Sequence, residues 1–177
     1  MQWESIEKHI AEVTGKSFSV DTQQSMGGGS INAAYLLTDV KGNQFFIKTN
    51  GAGLQGMFEA ECKGLGEMAS SNTIRVPEPV CFGDDSKQSY IVMEYLDMHG
   101  RADQAQLGEQ LAAMHRVSAE NFGWDIDNTI GSTHQPNTWT ENWLEFWRDH
   151  RLGYQLELAA RNGYGGELQS LGNKVLA

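Results

Sequence analysis

The sequence predicts an α+β protein whose first half is an antiparallel sheet with one inserted helix and whose second half is helical. Short apolar segments bounded by turn residues fill most of residues 17–96. Beyond residue 100, apolar residues recur at the three- and four-residue spacing of helices. These observations predict a joint near residues 94–100, and hence two lobes, residues 1–96 and 97–177.

The first lobe is predicted to run helix, three strands, helix, two strands. An initial helix is indicated by apolar residues on one helical face, which Gly15 closes: Trp3, Ile6, Ile10 and Val13. The predicted strands are 17–25, 31–40, 43–50, 80–83 and 89–96. A tight turn at 41–43 joins two of them into a hairpin, and a helix is inserted at 56–70.

The second lobe is predicted to contain helices over residues 102–118 and 140–164, with a Gly-, Asn- and Thr-rich loop between them. Leu168, Leu171 and Val175 follow at helical spacing, and the sequence stops without a glycine cap. We expect an exposed apolar face there, which would favour self-association and indicate a truncated protein.

Composition excludes several classes of function. The apolar share of 40% is typical of a globular protein rather than a disordered one. The net charge of −10 provides no basic surface for nucleic acid or for a membrane, and no window approaches 18 apolar residues. The two cysteines form neither a CxxC pair nor a metal-like spacing with histidine, which favours a cytoplasmic location and no disulfide framework.

A glycine turn precedes the second strand: Gly27, Gly28 and Gly29, followed by Ser30. Between strands, such a turn lets backbone N–H groups approach phosphate oxygens because no Cβ intervenes. The segment lacks the full G-x-G-x-x-G spacing, so by itself it is more typical of a loose hairpin.

Lys48 strengthens the phosphate interpretation. It lies in a strand with Phe46 on its own face and Phe45 and Ile47 on the other. A strand lysine usually extends into water from a sheet edge, but here the hairpin leads back to the glycines. Backbone donors above a triphosphate and a point charge beneath it are what nucleotide binding requires.

The inserted helix offers an acid for this lysine. We choose Glu61 over Glu59 because Leu65, four residues later, turns that side of the helix toward the core. A buried lysine without a partner tends to lose its proton, and a nearby carboxylate keeps it charged.

The last strand runs into Met93, Glu94, Tyr95 and Leu96 at the joint, where backbone groups could face an adenine ring, although the pattern alone is also that of a core strand. Glycine turn, strand lysine, helix glutamate and apolar strand occur in the order of a protein-kinase-like N-lobe.

The chain resembles the fructosamine (ketosamine) kinases, within the kinase-like group of aminoglycoside and choline phosphotransferases. The similar stretches include "GGGSINAAY", "FFIKTN", "MFEAECKGL", "YIVMEYL" and, most specifically, "FGWDIDNTIGSTHQPNTW" and "WLEFWRDHRLGYQLELA". The resemblance implies an enzyme that uses ATP and Mg²⁺ to phosphorylate a sugar hydroxyl of fructose-modified amines, after which the adduct decomposes in a deglycation repair.

The resemblance also implies roles for individual residues. Gly27, Gly28, Gly29 and Ser30 would cover the phosphates. Lys48 would contact them with Glu61 as its partner. The nucleotide-binding hinge would be formed by Met93, Glu94, Tyr95 and Leu96. Some relatives carry a cysteine where this chain has Ser30, so no disulfide is expected through the loop.

The family's catalytic loop, His-Gly-Asp-Leu-Trp-Ser-Gly-Asn, does not occur in these 177 residues, nor does the metal-binding Asp that follows it. The His99-Gly100 pair continues with Arg101 instead. No catalytic or metal residue is therefore assigned, and Mg²⁺ ligands are expected in a missing C-terminal part. Phosphoryl transfer needs a base and metal ligands, so we expect this polypeptide to bind nucleotide weakly without turnover.

Two other functions remain open from the sequence. One is a non-catalytic regulatory or interaction module that keeps the kinase-like lobe as a scaffold. The other is a kinase of the same fold for a different small sugar or amine.

Overall fold

The computed structural model describes residues 2–27, 31–101 and 103–177. The chain falls into two compact units, Met1–Val117 and Ser118–Ala177. The sequence-based division after residue 96 lies just beyond the last strand of the sheet, and its assignment to functional lobes stays a prediction.

Within its described residues, the first unit contains a five-stranded antiparallel sheet in the order β1-β2-β3-β5-β4. In chain order the strands are β1 Val20–Met26, β2 Ala33–Asp39, β3 Gln44–Gly51, β4 Pro79–Asp84 and β5 Gln88–Glu94. The predicted α+β class and antiparallel sheet are confirmed. The first strand begins later than predicted because Val20 pairs with Asp39, the last residue of β2, which leaves residues 17–19 without a partner strand.

Asp39 fixes the hairpin turn between β2 and β3. Its buried carboxylate accepts hydrogen bonds from the backbone N–H groups of Lys41 and Asn43, each at 2.8 Å, and from the Asn43 amide at 2.7 Å. Gly42 takes a φ of 84°, which side chains rarely tolerate. Hydrogen bonds to Asn43 lower the pKa of Asp39, because they favour the charged carboxylate.

Two helices of the first unit cover opposite faces of the sheet, and a third follows it: α1 Glu4–Thr14, α2 Gln55–Ser70 and α3 Gln104–Met114. Ile6 and Ile10 of α1 pack with Ile47 of β3 in one apolar core. On the other face, Phe58 of α2 packs with Ile91 and Met93 of β5. The alternation of β3 confirms the prediction that Ile47 and Lys48 point to opposite faces.

The second unit contains a short hairpin and a broken helical segment. Its elements are β6 Asn128–Ile130, β7 Thr133–Gln135, α4 Trp143–Trp147, a π-helix Arg148–Gly153, α5 Tyr154–Arg161 and α6 Glu167–Leu176. The hairpin was predicted as loop. The continuous helix expected over 140–164 is wrong in its middle, where the backbone widens into the π-helix.

Gly153, the last residue of the π-helix, lies close to the backbone of the preceding turn. A Cβ placed on it would lie 2.3 Å from the carbonyl oxygen of Arg148, five residues earlier. Such a contact is forbidden, so the wide turn needs glycine at this position. No described helix in either unit is both long and apolar enough to cross a bilayer.

Candidate functional site

The sheet register places Lys48 in line with the start of the glycine turn. Lys48 of β3 pairs with Ala34 of β2, and Ala34 pairs with Met26, the residue before Gly27. Neighbouring strands are about 4.8 Å apart, so the Lys48 and Met26 backbones are separated by about 10 Å. Gly27 is exposed, while Gly28, Gly29 and Ser30 lie outside the described residues. The approach of Lys48 to the whole turn therefore stays a prediction.

Lys48 and Glu61 form an ion pair. Lys48 Nζ donates to Glu61 Oε1 at 2.5 Å, and both side chains are about one-third exposed, at 32% and 27%. Partial exposure screens the pair, so its contribution to stability is about 1 kcal/mol. Its larger effect is to orient the ammonium group on the α2 side of the sheet.

A cavity of about 510 Å³ opens beside this ion pair within the first unit. It is the size of a small-molecule site, and its wall is mainly apolar, with the charged residues Lys48, Glu61, Arg75 and Glu94 among the lining. The lining includes six of the residues proposed from the sequence: Lys48, Glu61, Met93, Glu94, Tyr95 and Leu96. Residues distant in the sequence are thus brought to one cavity.

The cavity also has lining residues that the sequence analysis missed: Met26, Phe46, Leu65, Arg75, Pro77 and Met98. Phe46 could have been found, since strand alternation already put it on the face of Lys48. No local pattern marks Arg75 or Met98, which reach the cavity only through the fold.

Glu94 is engaged in structural contacts. Its backbone N–H donates to Glu78 O at 2.8 Å, and its carboxylate forms an ion pair with Arg75. The Glu94 N–H is therefore used within the fold, and the assignment of Glu94 to the nucleotide-binding hinge stays a prediction. The next two residues, Tyr95 and Leu96, follow β5, and within the described part of the chain their backbone groups make no backbone hydrogen bond. Those groups remain for a ligand.

Cys62 follows Glu61 on α2 and packs against the α2-side core. Burial raises the pKa of its thiol, and the neighbouring carboxylates of Glu59 and Glu61 raise it further. The thiol is therefore protonated near neutral pH and is a poor nucleophile. Cys81, a second free thiol, is buried in the other core, where burial raises its pKa to about 12.

A metal centre is not formed by the residues that the structure describes, since they contain no group of three or more His, Cys, Asp or Glu side chains able to hold an ion. No residue of this chain is assigned as a Mg²⁺ ligand.

Comparisons with known proteins agree on one family. The family model described as fructosamine kinase matches residues 2–176. A protein from Synechocystis sp. named a probable ketoamine kinase is 44% identical over 163 residues, covering 90% of this chain and 55% of its own. The chloroplastic protein-ribulosamine 3-kinase of Arabidopsis thaliana is 47% identical over 156 residues, covering 85% of this chain and 47% of its own.

A solved structure, of a proposed fructosamine-3-kinase from Haemophilus somnus 129PT, superposes with a TM-score of 0.88 at 26% identity. The match covers 98% of this chain and 60% of that one. The chain spans about half the length of the curated relatives it matches. The kinase-like fold expected from the sequence is confirmed, and the chain belongs to the fructosamine kinase family.

Proposed function

We propose that the first unit binds ATP as the phosphoryl donor of a kinase that phosphorylates ketosamines. The observation that carries this proposal is the Lys48–Glu61 ion pair at the cavity lined by the segment Met93–Leu96. Membership of the fructosamine kinase family supports it.

Each part of the cavity suits a part of the nucleotide. The apolar wall at Met93 and Phe46 accepts an adenine ring, whose polar edge can bond to the backbone at Tyr95 and Leu96. Lys48, held by Glu61, supplies a positive charge for the phosphates, and the glycine turn covers them. Mg²⁺ would accompany ATP and neutralise phosphate charge, with no ligand assigned within this chain.

The acceptor we propose is the sugar hydroxyl of a fructosamine or ribulosamine on a modified amine or protein. This assignment is supported by relatives named ketoamine kinase and protein-ribulosamine 3-kinase. Deglycation repair in the cytoplasm would be the physiological role. Self-association is a further proposal, supported by the exposed apolar residues Leu168, Leu171 and Val175 of α6.

Calorimetric titration of MgATP tests the proposal. Lys48→Met removes the charge that faces the phosphates, so we expect binding about tenfold weaker than that of the unsubstituted chain. The matched control is Lys16→Met, which removes the same charge at an exposed site outside the cavity. We also expect no phosphorylation of a fructosyl-amine by this polypeptide, because the family's catalytic loop is absent from it.

Three results would contradict these expectations. A chain that neither binds MgATP nor gains thermal stability from it would support a non-catalytic module instead. Equal binding by the Lys48→Met and Lys16→Met variants would remove Lys48 from the site. Phosphorylation of fructosyl-amine by the 177-residue chain would show that the catalytic assignment is wrong.

A further inference from the structure

The second unit contains a cavity of about 310 Å³ that the proposed kinase function does not use. Its wall is built from the β6–β7 hairpin, through Thr133 and Gln135, and from the helical segment, through Trp147, Arg151 and Gln155. Among the described residues that line it none is acidic, although the chain as a whole carries a net charge of −10.

Arg151 is held rigidly at this cavity. Its Nη1 donates to Pro136 O at 2.7 Å and to His150 O at 2.8 Å, and its Nη2 donates to Asn137 Oδ1 at 2.7 Å. The guanidinium carbon lies 4.4 Å from the centre of the Phe146 ring, which covers one face of the group. The cation is thus pre-positioned before any ligand arrives.

The acceptors around Arg151 are all neutral oxygens. In the described part of the chain Arg151 forms no ion pair, and its Nε makes no hydrogen bond. A guanidinium has five N–H donors and Arg151 makes three hydrogen bonds here, so donors remain for the oxygens of a carboxylate. Burial lowers the pKa of Arg151, but an arginine stays charged at physiological pH.

The backbone conformation at this site sets the position of Arg151. Arg151 lies within the π-helix, a conformation that is rare and often occurs at binding sites. The conformation depends on Gly153, since a Cβ there would meet the Arg148 carbonyl at 2.3 Å. A regular helix would give Arg151 a different direction, so the π-helix and the position of this cation belong to one arrangement.

The other lining groups define the rest of the ligand. Trp147 is 38% exposed and offers part of its ring, and Thr133, Gln135 and Gln155 offer neutral donors and acceptors. Gln135 is fixed by donating to Asn128 Oδ1 at 2.9 Å. Neutral amides and an indole face suit a hydroxylated body, while one cation suits one negative charge.

We propose that this cavity binds a small hydroxylated carboxylate, with the carboxylate on the remaining N–H donors of Arg151 and the hydroxylated body against Trp147 and the glutamines. This site lies in the second unit alone and goes beyond the proposed nucleotide site. Its failure would therefore leave the ATP proposal untouched.

Sodium gluconate is a suitable probe, titrated into the whole ¹⁵N-labelled chain and followed by two-dimensional NMR. We expect saturable shifts of the Trp147 indole N–H and of Arg151 Nε–H, with a Kd of about 1–10 mM for so small and polar a ligand. Glucose, which has the hydroxyls without the charge, and sulfate, which has charge without the hydroxylated body, should each bind about tenfold more weakly.

Matched substitutions locate the binding. Arg151→Lys keeps the charge but loses the planar guanidinium and its several donors, so gluconate should bind about tenfold more weakly. Arg161→Lys makes the same change at an exposed arginine paired with Glu157, and should leave binding unchanged. Gln155→Glu, at an exposed lining position, places a repelling charge in the cavity without disturbing the core. Its control is Gln24→Glu on the exposed side of β1.

Several outcomes would overturn the proposal. One is the absence of a saturable NMR shift at Trp147 and Arg151. Another is binding of sulfate or glucose as tight as that of gluconate. The third is an equal effect of Arg151→Lys and Arg161→Lys on gluconate binding. If Arg151→Lys fails to fold, Gln155→Glu decides: unchanged gluconate binding by that variant overturns the proposal, and about tenfold weaker binding supports it.

Discussion

Asn137 is a buried polar residue that joins several segments of the second unit. It is 3% exposed, and its side-chain amide donates to Ile126 O and to Asn128 Oδ1, each at 3.0 Å. Its Oδ1 accepts from Arg151 at 2.7 Å. Replacing Asn137 with Ala removes all three hydrogen bonds and leaves buried partners that water reaches poorly.

The magnitude follows from these contacts. Two neutral hydrogen bonds contribute about 1 kcal/mol each, and the one from a charged arginine contributes about 1.5–3 kcal/mol. Their sum is an upper value, because some partners will find water or relax. We therefore expect Asn137→Ala to lower the free energy of unfolding of the second unit by about 3 kcal/mol. At a urea dependence of about 2 kcal/mol per molar, the midpoint falls by about 1.5 M.

Urea unfolding followed by tryptophan fluorescence is the assay. It reports mainly on the second unit, because four of the five tryptophans, all except Trp3, lie within residues 118–177. The control is Asn173→Ala, the same chemical change at an exposed position of α6. If Asn137→Ala shifts the midpoint no more than Asn173→Ala does, the hydrogen bonds assigned to Asn137 do not stabilise this unit.

Two further predictions concern a close contact and a titrating side chain. Gly153→Ala forces a Cβ against the Arg148 carbonyl, so we expect a loss of about 2–3 kcal/mol in the same urea assay. Gly165→Ala, whose Cβ would meet nothing within 4 Å, should lose far less, and equal losses would contradict a π-helix that requires glycine. Asp39 has its pKa lowered from 3.8 in the folded protein, so its charge stabilises the fold above that pH and this contribution is lost as the pH falls through the lowered value. Thermal unfolding should therefore show Asp39→Asn to be less stable than the unsubstituted chain at pH 7, and the difference should shrink below about pH 4. The exposed Asp21→Asn is the control. A loss of stability that does not change with pH, or one that is equally large for Asp21→Asn, would show that the Asp39 carboxylate is not the cause.

The sheet and the ion pair of the first unit could be predicted because their signals are local. Strand alternation put Lys48 on one face and Ile47 on the other, and the spacing to Leu65 selected Glu61. The order of glycine turn, strand lysine, helix glutamate and apolar strand then indicated a nucleotide-binding site. The sequence did not predict the role of Arg75, a loop residue whose ion pair with Glu94 reaches the end of β5. This contact depends on the path that the chain takes after α2, and the spacing of apolar residues does not predict that path.

The second unit was harder to predict for a related reason. Its helical spacing continues through residues 143–161, so a continuous helix was the natural expectation. A π-helix adds a residue within one turn and leaves the apolar pattern on either side nearly intact. Gly153 is visible in the sequence, but its role depends on the Arg148 carbonyl lying within 2.3 Å of its absent side chain.

The sequence by itself determined the α+β class, the family and the pairing of Lys48 with Glu61. These follow from residue periodicity and from motifs that adjacent residues carry. Only the tertiary structure decided that the Glu94 N–H is used within the fold, and that Arg151 is held by neutral oxygens of Pro136, Asn137 and His150. Both depend on hydrogen bonds between segments far apart in the chain, and such bonds are fixed by three-dimensional packing rather than by local sequence.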